Sequence, residues 1–202
     1  YNNTATGRDA LYFNTSGGNN SAFGSFTLRL NSSANHNTAS GGYGLYNNST
    51  GNNNTATGGY ALYNNSTGNY NTANGSSALH DNTYGSFNTA SGYWALSTNN
   101  GSSNTSTGAN SLYNNSTGIY NTASGYNALN GNTTGNYNTA TGMEALYNNP
   151  SGIGNTANGF QANYLFNGNS GNQNTAIGSY SLADALTSSY NTALGSGAGS
   201  GT

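Results

Sequence analysis

The side chains of this 202-residue chain that could do acid, base or metal chemistry are few and scattered. The acids are Asp9, Asp81, Glu144 and Asp184, the histidines His36 and His80, the cations Arg8 and Arg29, and cysteine is absent. On the repeat laid out below, even the nearest two acids lie two units apart, about 10 Å along a stack of strands. A retaining glycosidase needs its carboxyls about 5 Å apart and an inverting one about 6.5–9.5 Å. Acid/base catalysis is therefore disfavoured, and the expectation is a non-enzyme with solvated acids. Two isolated histidines without cysteine argue against zinc, no Gly-Gly-x-Gly-x-Asp calcium turn occurs, and no cofactor is implied. Two arginines cannot neutralise a polyphosphate, which argues against nucleic acid. No apolar run approaches the roughly 20 residues that span a bilayer, so membrane insertion is not expected.

The abundant chemistry is uncharged. Asn-x-Ser/Thr acceptors stand at Asn48, Asn65, Asn115 and Asn132, with overlapping ones at Asn47, Asn64 and Asn114. They are candidate N-glycosylation sites, although asparagine and serine also serve simply as turn formers. Pro150 disqualifies Asn149. A threonine column that includes Thr4, Thr38, Thr55, Thr72, Thr89, Thr122 and Thr139 is a candidate ice- or ligand-binding face. The plainer reading is that threonine suits the outer side of a strand. Tyr46, Tyr63, Tyr113 and Tyr147 are a candidate aromatic interface, since each offers apolar area with a polar tip. Sugars or other chains would suit them, and an interface between chains is preferred.

These residues recur because the chain itself recurs. The stretch Asn54-Thr55-Ala56-Thr57-Gly58-Gly59-Tyr60-Ala61-Leu62-Tyr63-Asn64-Asn65-Ser66-Thr67-Gly68-Asn69-Tyr70 is a 17-residue unit. Units open at Asn3, Asn20, Asn37, Asn54, Asn71, Asn88, Asn104, Asn121, Asn138, Asn155, Asn174 and Asn191, with one spacing of 16 and one of 19. Four residues on is glycine in all twelve copies, two on is alanine in all but Ser106, and eight on is leucine in ten. A short fixed period is the mark of a solenoid, here one continuous array over residues 1–202.

Within a unit the opening Asn, Ala and Gly alternate with Thr and a variable residue, as a strand with one face inward does. The small residues are expected inside a thin coil, beside a single leucine column. The Asn-Asn-Ser-Thr-Gly run reads as an outward corner that absorbs length changes, and glycine as the residue supplying positive φ. A helix is ruled out by propensity, with glycine recurring twice per unit. The fold expected is all-β: a single-chain parallel β-solenoid (β-helix or β-roll) of about twelve turns, in which identical side chains form ladders. With 32% apolar residues, 3% charged and a net charge of −2, each turn buries little alone, and stacking must bury the rest. The Gly-Ser-Gly-Ala-Gly-Ser-Gly run at 195–201 reads as a flexible tail. Neither end shows a polar capping unit, which suggests a piece of a longer array or ends that meet other copies.

The Asn-Thr-Ala-x-Gly-x-x-Ala-Leu unit with its Asn-Asn-Ser-Thr-Gly linker resembles the repeats in the heads of trimeric autotransporter adhesins. It is similar also to the Asn-Thr-Ala-x-Gly arrays of phage tail-fibre-like and other extracellular fibre proteins. The unit is longer than those of the adhesin heads, and no neck, stalk or anchor motif accompanies it. That resemblance implies a solenoid, often trimeric, on a cell or particle surface. The expected function is structural: a component of an extracellular fibre, filament or adhesive appendage that self-associates as filament or trimer and carries covalent glycans. The alternative is an ice- or carbohydrate-binding module using the threonine or tyrosine columns.

Overall fold

The computed structural model describes residues 1–165, 171–183 and 188–200. Twelve strands of three residues run from β1 (Thr4–Thr6) through β4 (Thr55–Thr57) and β5 (Thr72–Asn74) to β12 (Thr192–Leu194). They form one parallel sheet in chain order, each strand pairing with the equivalent residues of the next, as Thr55, Ala56 and Thr57 do with Thr72, Ala73 and Asn74. The molecule is a β-solenoid with one strand per turn, and no helix occurs among the described residues. In β4 the pattern is Thr55 out, Ala56 in, Thr57 out.

Glycine ends each strand for a steric reason. Gly58 has φ +123°, and a Cβ there would lie 2.7 Å from the carbonyl carbon of Gly75 in the turn above. Positive φ does not stop at glycine, however. Tyr60 (φ 58°), Leu62 (φ 51°) and Tyr70 (φ 57°) are left-handed, and their equivalents recur along the rod. Left-handed backbone costs an ordinary side chain about 1–2 kcal/mol. Two gains offset it. Burying a leucine fully is worth about 1.5–3 kcal/mol, and the turn residues keep bonding from coil to coil. Leu62 N donates to Ala78 O (3.0 Å), Asn64 N to His80 O (2.8 Å), Thr67 N to Thr83 O (3.0 Å) and Tyr70 N to Asn52 O (3.0 Å). Only three residues per turn are strand, yet the backbone ladder runs right round the coil.

The core is a column of leucines, Leu28 through Leu146, all buried, flanked by two mainly alanine columns typified by the buried Ala56 and Ala61. Its exceptions are compensated. Ser106 takes an alanine place and faces Ser111, which takes the other; Ser106 Oγ donates to Ser111 O (2.9 Å) and lies against Ser111 Oγ, while Ser111 Oγ donates to Gly108 O (2.9 Å). In the long tenth copy Asn163 stands where leucine does elsewhere, and Leu165 is buried two residues on.

Three expectations about loops meet the structure differently. The short copy does lose its residue from the corner: Asn99 Nδ2 donates to Gly101 O (2.8 Å) where Asn82 Nδ2 donates to Gly85 O (2.8 Å), so one intervening residue is missing and the inward bond survives. The extra length of the tenth copy falls around residues 166–170, outside the described residues. The glycine-rich end is not a loose tail over its described part. Gly197 N donates to Ser179 O (2.9 Å), Leu182 N donates to Ala198 O (2.8 Å), and Ala198 packs on the core, so residues 196–200 continue the coil.

Candidate functional site

Two ladders of asparagine run through the interior, the first from Asn3 to Asn191 and the second, among the described residues, from Asn14 to Asn149. The opening asparagine bonds upward and across: Asn54 Oδ1 accepts from Asn71 N (2.9 Å) and Asn54 Nδ2 donates to Gly68 O (2.8 Å). The second ladder is built from the corner. Asn65 Nδ2 donates to Asn48 Oδ1 (2.7 Å) and to Gly68 O (3.0 Å), and Asn65 Oδ1 accepts from Asn82 Nδ2 (2.9 Å). One carbonyl, Gly68 O, thus receives both amides and draws the two sides of the turn together. A Cβ on Gly68 would lie 2.8 Å from Asn82 Nδ2, so glycine is needed for the close approach. In these two ladders each buried amide has its N–H groups or its oxygen engaged with a neighbouring turn, as at Asn54 and Asn65, which removes the cost of burying it.

That geometry corrects the outward corner. Asn48, Asn65, Asn115 and Asn132 are fully buried, and their Nδ2 atoms are donors in the second ladder. They do not project to solvent as the sequence suggested, because the corner pair alternates and its second asparagine is the inward one. The overlapping acceptors sit outside: Asn114 is exposed, and Asn47 and Asn64 are half-buried. Asn47 Nδ2 donates to Asn64 Oδ1 (2.6 Å) and Asn64 Nδ2 to Asp81 Oδ1 (2.7 Å).

The threonine column is where it was expected. Thr4, Thr38, Thr55, Thr72, Thr89, Thr122 and Thr139 are all exposed on one face, in register across the sheet. The second outward position varies, through Phe23, Ser40, Asn74, Ile177 and Leu194, so the face is one regular rank beside an irregular one.

The tyrosines pack within the rod. Tyr46 and Tyr63 stack at 5.2 Å, and they interlock with a neighbouring column in which Tyr43 and Tyr60 stack at 4.9 Å with planes 3° apart. Tyr60 reaches Tyr63 at 5.6 Å, and Tyr63 reaches His80 at 5.1 Å. Burial, then the neighbouring phenols Tyr46, Tyr60 and Tyr43, push the Tyr63 hydroxyl above its ordinary pKa of 10.0. Tyr164 is raised likewise, by burial first and then by Glu144 and Tyr147. Tyr113 and Tyr147 stand in the same column as Tyr46, two turns apart, with Asn130 between them. A further aromatic column lies outside, with Tyr70 on Phe87 at 5.1 Å and Tyr120 on Tyr137 at 5.2 Å.

The described ionisable groups meet at most in pairs. Asp9 meets Arg29 Nε at 3.6 Å, and that guanidinium lies over Phe13 at 5.0 Å. Asp81 Oδ1 meets His80 Nδ1 at 2.8 Å, and Glu144 Oε2 accepts from Gln161 Nε2 at 2.6 Å. Asp184 lies outside the described residues. Among the described residues no three of His, Cys, Asp and Glu gather as a metal cluster would require, and no helix is long and apolar enough to cross a membrane.

No protein-family model, curated protein or solved structure matches the chain. The ladder residues that the sequence reading missed did carry a signal. In the corner, Asn14, Asn31, Asn48, Asn65, Asn82, Asn99, Asn115, Asn132 and Asn149 keep their identity, while the residue before each varies through Phe13, Leu30, Asn47, Asp81, Thr98 and Gly131. Constancy beside variability is what an inward position looks like.

Proposed function

We propose that the protein is a structural component of an extracellular fibre, filament or adhesive surface appendage, self-associating and without catalytic activity. The observation that carries this reading is the register itself. Twelve strands stack with equivalent residues paired throughout, and the interior holds amide ladders where an enzyme would hold a cleft of ionisable groups. Such a rod gains length by adding units, each contacting only its neighbours. Within this chain β1 and β12 pair on one side only. Of the candidate acceptors named above, Asn114 is the best placed to carry a glycan, since it is exposed.

Electron microscopy of the concentrated protein tests self-association. Rods joined end to end or side by side support it, and short monodisperse rods at high concentration contradict it. The threonine rank favours ice binding as the second reading, because a lattice-like row of exposed hydroxyls can order water. Thermal hysteresis in the purified protein would support that reading, and its absence would remove it.

A further inference from the structure

We propose that the break in the aromatic columns between Trp94 and Tyr147 is a binding subsite for a neutral saccharide. In the earlier turns Phe26, Tyr43 and Tyr60 interlock with Tyr46 and Tyr63, ring centroids 4.9–5.8 Å apart, and leave no slot. Further along, the ring positions after Trp94 are taken by Asn110 and Asn127, and the one between Tyr113 and Tyr147 by Asn130. The result is a hollow of about 450 Å³, within the roughly 300–1,000 Å³ of small-ligand sites.

Its surfaces suit a pyranose. Tyr147 stacks on Tyr164 (5.3 Å) on one side, and on its other side the column holds Asn130 in place of a ring. Trp94 meets Tyr113 only obliquely, at 5.7 Å and 49°. The C–H face of a sugar ring can lie on such aromatic planes, while its hydroxyls need donors and acceptors at the edge. Those are present. Asn130 Nδ2 donates to Asn110 O (3.0 Å), a bond across 20 residues that departs from the repeat and fixes the floor. The side-chain amide of Asn110 and the Nδ2 of Asn127 have no hydrogen-bond partner within the described chain.

The chemistry of the hollow selects among ligands. Its lining carries no carboxylate or cation, so a charged sugar, nucleotide or acidic peptide finds no counter-charge there. A purely structural reason for the asparagines covers two of the three: Asn110 and Asn127 are left-handed (φ 54° and 55°), a conformation asparagine tolerates. Asn130 has no such need, and its place is tyrosine in neighbouring turns.

Trp94 is the sole tryptophan of the chain, so its fluorescence reports on the hollow directly. The test titrates the intact protein with neutral gluco-, manno-, galacto- and N-acetylglucosamine oligosaccharides, with oligogalacturonate as the charged control. The expected result is a saturable emission change with at least one neutral series and none with the control. The double variant Asn110→Tyr/Asn127→Tyr restores the column with a residue that Tyr60 shows to fit a left-handed φ of 58°. It should keep its thermal midpoint and lose binding at least tenfold. Asn130→Ala, which spares the rings, should weaken binding severalfold. No saturable change with any neutral sugar, or undiminished binding by both variants, overturns the proposal. Neither outcome alters end-to-end assembly in the microscope, so the fibre reading stands or falls separately.

Discussion

The inside and the outside of this coil follow opposite rules. Inside, Asn54, Ala56, Leu62, Asn65 and Gly68 have equivalents that barely change from turn to turn, and every polar one is bonded along the axis. Outside, the column of Tyr60 passes through Ser77, Trp94, Asn127 and Glu144 without disturbing the register. The contrast shows that the amide and leucine columns set the stack, while the aromatic columns tolerate exchange. It also explains how a chain with so few apolar residues holds together: beside its alanine and leucine columns it buries rows of asparagine, whose amides are made harmless by pairing.

That division is broken most severely from within. Asn65→Leu removes a donor from Asn48 Oδ1 and an acceptor from Asn82 Nδ2; at about 1–3 kcal/mol for each orphaned group, a loss of about 2–6 kcal/mol is expected in denaturant unfolding. Leu62→Ala should cost about 2–4 kcal/mol by the same measurement, because the stacked backbone holds the cavity open. Tyr60→Ser, which borrows the residue found at Ser77, should cost only about 0.5–1.5 kcal/mol of ring contact. Smallest is Thr57→Ser on the outer strand face, within about 0.5 kcal/mol. If the outer changes matched the inner ones, the division would be wrong.

Alkaline pH sharpens the contrast in another way. The Tyr63 and Tyr164 hydroxyls hold their protons more tightly folded than unfolded. Their contribution to stability is complete below the ordinary pKa of 10.0 and is lost as pH climbs through the raised folded values. A thermal midpoint that falls above that pH in the native chain, and falls less in Tyr63→Phe, is the expected outcome of calorimetric scans.

Much of the architecture was legible because a period leaves little freedom. The spacing of the opening asparagines located all twelve strands, and the Thr55-Ala56-Thr57 alternation oriented them. Two things were hidden. Positive φ at Leu62 and Tyr60 could not be read, since residue preference points to glycine and only the closing geometry of the coil demands it there. The inward corner asparagine was obscured by its neighbour: in Asn64-Asn65 two identical residues point opposite ways, and composition alone marks both as loop. The candidate acceptors at Asn48, Asn65, Asn115 and Asn132 inherited that error. The aromatic hollow was missed because it is made by departures from the repeat, which a search for regularity averages away.

Side-chain amide hydrogen exchange followed by NMR probes the interior ladders most directly. The Nδ2 protons of Asn54 and Asn65 should exchange only through opening of the coil, with protection approaching that of the Leu62 backbone amide, while those of Asn114 exchange at solvent rates. Equal, rapid exchange at Asn65 and Asn114 would mean that the buried amides do not hold the turns together.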